Sequence, residues 1–573
     1  VPEQYRMEYE RWCREADEAT KAELLSMSDE KEIKERFYKE LAFGTAGLRG
    51  ILGAGCNRMN MYTVRRATQG LANYILQKGK DVQNHGVAIA YDCRHFSKQF
   101  AWAAATVLAA NGIRVWIYAE MEPTPALSFA VRHLSTTAGI MITASHNPAN
   151  YNGYKVYGED GAQMNVSDSA IVLSFINKTD IFNGVKDMDV EEAERKGLIT
   201  VIEEDVLAPY LEAVKQCVQN PALVTNQGKD LTIVYTPFHG AGYKAVMRSL
   251  QESGFTSVYP VEAQAVPDPD FSTVKSPNPE DPAGFAMAIK LAHEKNADII
   301  IGTDPDSDRI GVLCKTEDGY QVLNGNQTGI LLMDYVLSQR AAKGLVPQDY
   351  VVSTIVSTNM VQSIAAAYGV KAYQVYTGFK FIAGIIKDHE MNPDGGSYLF
   401  GFEESFGYLP GTYARDKDAV SASLLVCEMA TYYKTQGMTL VDALGLLQKK
   451  YGYYLEYTES VYMEGIDGME RMQALLTQVS KNPFRKLGDI EFLAFRNYQE
   501  GIRYEFSTNK EEPLPLEPSN VLYFELPKGG FFIMRPSGTE PKIKLYFSVV
   551  GENEQDAEEK LLALRRETGK KFA

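Results

Sequence analysis

The sequence predicts an α/β protein of several domains. Short apolar runs rich in branched residues alternate with helix-length stretches through most of the chain. At 573 residues, with about 150 residues per domain, the length suggests roughly four domains. Hydrophobic residues make up 45% and charged residues 23%, a globular balance that fills several cores.

The elements follow in order. Residues 5–42 have helical composition with charged outward positions, an opening helix or pair of helices. Phe43-Gly44-Thr45-Ala46-Gly47-Leu48-Arg49-Gly50 reads as a glycine-rich loop with one central Arg, suited to an anion. Val87–Tyr91 reads as a strand ending at Asp92, Arg94 and Ser97; an Ala-rich helix and a strand over 113–118 follow. The run 138–142 is a buried strand that exits through Thr143-Ala144-Ser145-His146-Asn147-Pro148. Pro148 lacks a donor and forces a turn, so the Ser145 hydroxyl is presented at a strand end. Asn152-Gly153 gives a turn signal, with Lys155 close behind. The polar stretch 187–205 reads as a boundary. A helix over 206–219, a strand over 231–235 and a Pro-rich connection over 266–282 come next.

Three further stretches carry chemistry. Ala297–Thr303 is an apolar strand leading to Asp304-Pro305-Asp306-Ser307-Asp308-Arg309. Carboxylates at alternate positions of a tight loop can converge on one hard cation. An EF-hand is excluded, because Arg309 and Lys315 stand where Gly and Glu are needed. The Asp-x-Asp of an aspartyl-phosphate enzyme fits less well, because Asp308 occupies the position of a Thr or Val. Strands over 350–355 and 396–400 frame the next α/β segment, and the second leads to Gly401-Phe402-Glu403-Glu404-Ser405-Phe406-Gly407. Glu403 and Ser405 can face a polyol together, although Glu-Glu-Ser is also a helix start. Strands are expected over 451–462 and a helix over 466–480. Last, Arg535-Pro536-Ser537-Gly538-Thr539-Glu540-Pro541 joins strands over 531–534 and 542–547. One guanidinium, two hydroxyls and a glycine make a phosphate cradle by inventory. A closing helix runs from 552.

Composition limits the partners. With 58 Lys and Arg against 74 Asp and Glu, the formal charge is −16, which disfavours nucleic acid and anionic membranes while leaving room for a small anionic substrate. The six cysteines are scattered without a Cys-x-x-Cys pair and are expected as reduced thiols of a cytoplasmic protein. Residues 1–40 lack the layout of a signal peptide. The longest candidate span, the Ala-rich Phe100–Ala110, is too short to cross a bilayer and reads as a core-facing helix.

All four chemical stretches sit where an apolar strand ends, and in this order the chain resembles the α-D-phosphohexomutase superfamily, the phosphoglucomutases and phosphomannomutases. The resemblance spans nearly the whole chain. It implies three related α/β domains with mixed sheets (1–205, 206–318, 319–450) and a smaller C-terminal α+β domain (451–573), with the active site in a central cleft. It implies that Ser145 is the phosphoserine, and that Asp304, Asp306 and Asp308, with an oxygen on Ser145, hold Mg²⁺. Glu403 and Ser405 would read sugar hydroxyls, with Lys380 near the sugar. Arg535, Ser537, Gly538 and Thr539 would hold the non-reacting phosphate, although many members carry Asn at the position of Gly538. Arg49, Lys155 and Arg309 match positions near the transferring phosphoryl group, with Lys155 the first and His146 the second candidate base.

The implied reaction interconverts glucose 1-phosphate and glucose 6-phosphate through glucose 1,6-bisphosphate, which also serves as activator. Glu-Glu-Ser favours glucose over mannose, whereas the opening around Phe43 also resembles the branch containing phosphopentomutases. A metal-dependent sugar phosphatase is a further alternative. A non-catalytic sugar-phosphate-binding protein would lack the nucleophile or a metal ligand, and all four residues are present. A monomer or homodimer is expected, without nucleic-acid or membrane partners.

Overall fold

The computed structural model describes residues 4–44, 47–392, 394–463, 468–536 and 542–572. They form two compact units, Val1–Lys343 with Gly378–Leu440, and Gly344–Thr377 with Val441–Ala573.

The first unit opens with three helices, Gln4–Glu15, Glu18–Ser26 and Glu30–Phe37, one more than the sequence suggests. Asp17 and Asp29 cap the second and third, which breaks the charged stretch into short pieces. Trp12 is fully buried between Phe37, Tyr62 and Phe182, so this bundle has its own small core.

Behind it lies a six-stranded mixed sheet in the order Gly47–Ile51, Tyr151–Gly158, Ala138–Ile142, Val87–Tyr91, Val115–Tyr118, Ile199–Ile202. The last four strands are parallel, Tyr151–Gly158 runs against them, and Gly47–Ile51, antiparallel to Tyr151–Gly158, runs with them. Ala138–Ile142 is buried along its whole length, as a central strand covered on both faces must be.

Two sequence expectations fail here. The supposed glycine loop is a strand from Gly47 onward, placing Arg49 on a sheet edge opposite Gly153. Asn152-Gly153 is no turn, because it lies inside a strand. There the glycine permits close approach: a Cβ would meet Thr143 O at 2.5 Å and Leu48 O at 3.0 Å. The stretch 187–205, expected as a boundary, holds a helix, Val190–Arg195, and the edge strand Ile199–Ile202 of this same sheet, whose two central residues are exposed.

A second mixed sheet follows the same plan, in the order Gly319–Leu323, Ile310–Thr316, Ile299–Thr303, Ile233–Thr236, Val258–Pro260. Again a buried parallel strand, Ile299–Thr303, hands over to an antiparallel neighbour through a short loop. Tyr398–Glu403 and Gly407–Leu409 repeat this as a tight hairpin, so Glu404-Ser405 is a hairpin turn and not a helix start. In both sheets and in this hairpin, the chemical loop joins a strand to its antiparallel partner.

The second unit holds the parallel pair Tyr350–Thr354 and Lys371–Val375 and an antiparallel seven-stranded sheet. Helices Gly468–Lys481 and Glu554–Phe572 pack on that sheet through Met472, Leu476, Leu561 and Leu564 against Phe524 and Phe532, an α+β arrangement. The six cysteines form no disulfide. Among the described residues no helix is long and apolar enough to cross a membrane.

Candidate active site

Ser145 follows the end of the strand Ala138–Ile142 with φ of 52°, a left-handed conformation that costs a non-glycine residue about 1–3 kcal/mol. Local bonds hold it there. Its N–H donates to Thr143 Oγ1 at 2.9 Å. Arg94, buried beneath the loop, donates from Nη2 to Ser145 O at 2.6 Å and to Asn147 O, and from Nη1 to Pro148 O at 2.8 Å and Tyr151 O at 3.1 Å. One guanidinium thus gathers four carbonyls of one turn, a task suited to its rigid planar fork. Asp92 pairs with it at 3.4 Å.

Ser145 is 3% exposed, and its hydroxyl donates to Asp304 Oδ2 at 2.9 Å. Asp304, Asp306 and Asp308 are buried, with one oxygen from each lying within 4.8 Å of the others. Asp304 Oδ1 accepts the backbone N–H of Asp308 at 3.1 Å and of Arg309 at 3.0 Å. Asp306 Oδ2 accepts from Lys155 Nζ at 2.9 Å and Thr124 Oγ1 at 2.8 Å. Asp308 Oδ2 pairs with Lys417 Nζ at 3.1 Å. The remaining oxygens, Asp306 Oδ1 and Asp308 Oδ1, are buried without a hydrogen-bond partner. Orphaned carboxylate oxygens are costly to bury, and an all-oxygen donor set suits a hard divalent cation. The triad therefore fits a metal ion.

Charge follows geometry. Burial and the neighbouring Asp306 and Asp308 raise Asp304 well above the carboxylate range. Burial alone would raise Asp306 too, but the Lys155 ammonium holds it below that range. Burial and the Arg309 guanidinium push His146 down to about 3, so its imidazole is neutral; Nδ1 lies 3.3 Å from Ser145 Oγ.

The other expected residues are placed as follows. Arg49 is exposed and donates to Asn147 Oδ1 at 3.2 Å, against the serine loop. Arg309 pairs with Glu280 at 2.9 Å. Glu403 is 4% exposed and accepts from Gly378 N at 2.6 Å; burial raises it. Ser405 is half-buried in its turn. Lys380 lies on the helix Phe379–Glu390 and lines a cavity with Tyr74, Gly158 and Lys387. Its Nζ has no hydrogen-bond partner among the described residues. The structure does not join it to Glu403. Arg535, in the other unit, lies on the strand Phe531–Pro536 with its guanidinium 5.8 Å from the Tyr546 ring. Ser537, Gly538 and Thr539 lie outside the described residues.

Sequence reasoning missed the supports. Thr124 also donates its N–H to Asp306 O at 2.8 Å. Lys417 belongs to Arg415-Asp416-Lys417-Asp418, four consecutive charged residues that are buried throughout. Arg94 was visible only as a polar residue after a strand.

Comparison with known proteins decides the family. Three models match in succession: phosphoglucomutase/phosphomannomutase α/β/α domain I over residues 40–181, domain II over 208–319 and domain III over 324–451. The chain belongs to the phosphoglucomutase/phosphomannomutase family.

A phosphoglucomutase of Staphylococcus aureus (strain bovine RF122 / ET3-1) is 35% identical over 563 residues, covering 97% of this chain and 98% of that protein. One of Staphylococcus haemolyticus is 36% identical over 546 residues, covering 95% and 96%. In fold, the open form of the Paramecium phosphoglucomutase parafusin matches with a TM-score of 0.68 at 18% identity, covering 94% of this chain and 96% of that one. A family protein of Burkholderia thailandensis gives 0.65 at 18% identity, covering 92% and 96%. Three α/β domains with mixed sheets and a further C-terminal α+β region are the architecture that the resemblance implied.

Proposed function

We infer that this enzyme is a phosphoglucomutase, an isomerase that interconverts α-D-glucose 1-phosphate and glucose 6-phosphate through phosphorylated Ser145 and glucose 1,6-bisphosphate. The observation that carries the reading is the Ser145 hydroxyl on a buried, partly unsatisfied carboxylate triad, in a chain related over nearly its full length to phosphoglucomutases.

Phosphoserine carries about two negative charges at neutral pH and would be intolerable beside three carboxylates alone. Asp304, Asp306 and Asp308 would hold Mg²⁺, which supplies charge neutralisation and Lewis acidity toward the transferring group. The chain's own residues do the rest. The backbone turn held by Arg94 aims Ser145. Arg49, Lys155 and Arg309 place positive charge around the phosphoryl oxygens, where a loose transition state spreads its charge. Lys155, which pairs with Asp306, is the first candidate to take the proton of the attacking substrate hydroxyl, and His146 is the second, since burial and the Arg309 guanidinium disfavour its protonated form.

The phosphoryl group passes from Ser145 to the 6-hydroxyl of glucose 1-phosphate, breaking the Ser Oγ–P bond and forming the sugar O6–P bond. After the bisphosphate turns over, the C1 phosphate returns to Ser145. Glu403 and Ser405 hold hydroxyls usable in both poses, with Lys380 beside the sugar. Arg535, Ser537, Gly538 and Thr539 hold the idle phosphate. The enzyme acts as a monomer or homodimer in the cytoplasm.

Coupled assays across glucose, mannose, glucosamine and ribose 1-phosphates test the substrate, with glucose 1-phosphate expected to give the highest kcat/KM. Intact-mass analysis should show one phosphate that is lost in Ser145→Ala together with nearly all turnover. Wild-type turnover in that variant would end the mechanism.

A further inference from the structure

Each carboxylate of the triad is tied at one oxygen; the other has no hydrogen-bond partner in Asp306 and Asp308 and accepts the Ser145 hydroxyl in Asp304, and the ties differ. Asp304 is fixed at Oδ1 by two backbone N–H groups. Asp306 is fixed at Oδ2 by Lys155 and Thr124. Asp308 is fixed at Oδ2 by Lys417, a residue without a place in the reaction described above.

Lys417 is itself immobilised. Its side chain is 8% exposed, and its Nζ also meets Asp416 Oδ1 at 3.0 Å. Asp416 Oδ2 accepts from Tyr157 OH at 2.7 Å, on the strand that carries Lys155. The Phe379 ring centroid lies 5.6 Å from the ammonium. Gly407, at the end of the Glu403 turn, leaves no gap over the stem: a Cβ there would stand 2.1 Å from Lys417 Cδ. The neighbours are fixed as well, since Asp418 N donates to Tyr408 O at 2.8 Å and Ala419 N to Ser307 O at 3.1 Å. The ammonium cannot swing away without disturbing three loops.

We propose that Lys417 determines cation specificity: by occupying Asp308 Oδ2 it restricts that ligand to one oxygen and favours a small six-coordinate divalent ion over a larger one. The inference rests on the metal reading of the triad given above. Its logic is coordination chemistry. Ca²⁺ takes six to eight oxygens and gains from carboxylates that bind through both oxygens, whereas Mg²⁺ wants six single oxygens in near-octahedral geometry. With every triad member held at one oxygen, the site offers three single donors and the serine oxygen. Lys417 also repels any divalent cation through its charge. That effect acts on all of them nearly alike and shifts both affinities together. Only the freed oxygen changes their ratio.

The test is calorimetric titration of Mg²⁺ and of Ca²⁺ into the dephosphorylated wild-type enzyme and into Lys417→Met, with melting followed in chelator to confirm folding. The Ca²⁺-to-Mg²⁺ ratio of dissociation constants should fall about tenfold, corresponding to 1.4 kcal/mol, and Lys417→Arg should keep most of the discrimination. A folded Met variant with an unchanged ratio would overturn the proposal, even if both affinities weaken, because Lys417 would then be structural only. Wild-type enzyme that binds neither ion would overturn it together with the metal reading.

Should the Met variant not fold, luminescence lifetimes of Tb³⁺ on the wild type, in H₂O and D₂O, count metal-bound waters. A Ca²⁺-like ion taking about eight oxygens keeps about four waters if each Asp and Ser145 give one oxygen, and about three if Asp308 gives two. About four is expected. About three or fewer would refute the restriction.

Discussion

Arg94→Lys isolates what the guanidinium fork does for the serine loop. The substitution keeps the positive charge beside Asp92 but replaces a planar fork with a single ammonium, which cannot reach four carbonyls spread over Ser145, Asn147, Pro148 and Tyr151. If two carbonyls lose their partner, each costs about 1–3 kcal/mol, or about 2–6 kcal/mol in total. Because Arg94 packs at 5.0 Å over the Phe271 ring within a closed environment, water cannot readily substitute. The loss falls on the loop, since the strands on either side keep their ladders. Two readouts follow. Amide exchange across residues 143–151 should quicken at least about tenfold, the lower limit set by 1.4 kcal/mol. kcat/KM should fall about a hundredfold, as a displacement near 1 Å of the reacting group does. Exchange and kcat/KM both at wild-type levels would refute the idea that Arg94 aims Ser145.

Three further outcomes are expected. Asp306→Asn should weaken divalent-metal binding by about tenfold or more and remove most turnover with the fold intact, and chelation of the wild type should do the same reversibly; full activity in excess chelator would contradict the metal reading. Arg535→Ala should lower kcat/KM about ten- to a hundredfold in both directions, the equivalent of about 1.5–3 kcal/mol of charge-assisted hydrogen bonding, and should raise the dependence on added bisphosphate; steady-state kinetics from both substrates checks this. Burial pushes Glu122 up to about 8 from 4.5, so the folded chain holds a proton there that the unfolded chain releases. Stability from this group is complete below about pH 4.5 and is lost as pH rises through about 8. Glu122→Gln should therefore melt closer to the wild type at pH 5 and above it at pH 9, and identical pH profiles of melting would count against the buried neutral carboxyl.

How much of this could be read from the chain depends on how each residue contributes. Ser145 and the three aspartates stand in short polar strings straight after apolar strands, and that contrast is visible in one dimension. Glu403 was visible for the same reason, although its hairpin turn could pass for a helix start. Lys417 and Arg94 are single cations whose meaning comes from carbonyls and carboxylates far away in sequence or buried by another segment, so nothing local marks them. Arg415-Asp416-Lys417-Asp418 carries four consecutive charges, a pattern common at solvent, yet the four are buried, with Lys417 on Asp416, Arg415 on Glu390 and Asp418 on a backbone N–H. Asn152-Gly153 misleads in the other direction. Its glycine serves close packing between strands, and sequence alone does not distinguish that from a turn. The edge strand Ile199–Ile202 was hidden by acidic neighbours and by its own outward-facing residues.

The three loops of the first unit share one device that bears on how the site is kept ready. Each contains a non-glycine residue in the left-handed region: Ser145 at φ 52°, Ser307 at 51° and Phe406 at 64°. Glycine would adopt these angles without the side-chain penalty, so its absence needs a reason. At 145 the hydroxyl is the proposed phosphoryl carrier. At 307 and 406 the side chains are buried and the backbone carbonyls are bonded to other segments, Ser307 O from Ala419 N at 3.1 Å and Phe406 O from Ile310 N at 3.1 Å. A glycine there would relax the angle but widen the range of loop conformations, and a loop free to explore would leave its carboxylates pointing in several directions. Holding a strained residue by buried contacts costs about 1–3 kcal/mol per position, an expense offset by the packing around it. In return the donors are fixed before substrate arrives. For phosphoryl transfer, where positioning and preset charge account for most of the acceleration, that rigidity is itself the catalytic contribution of these turns.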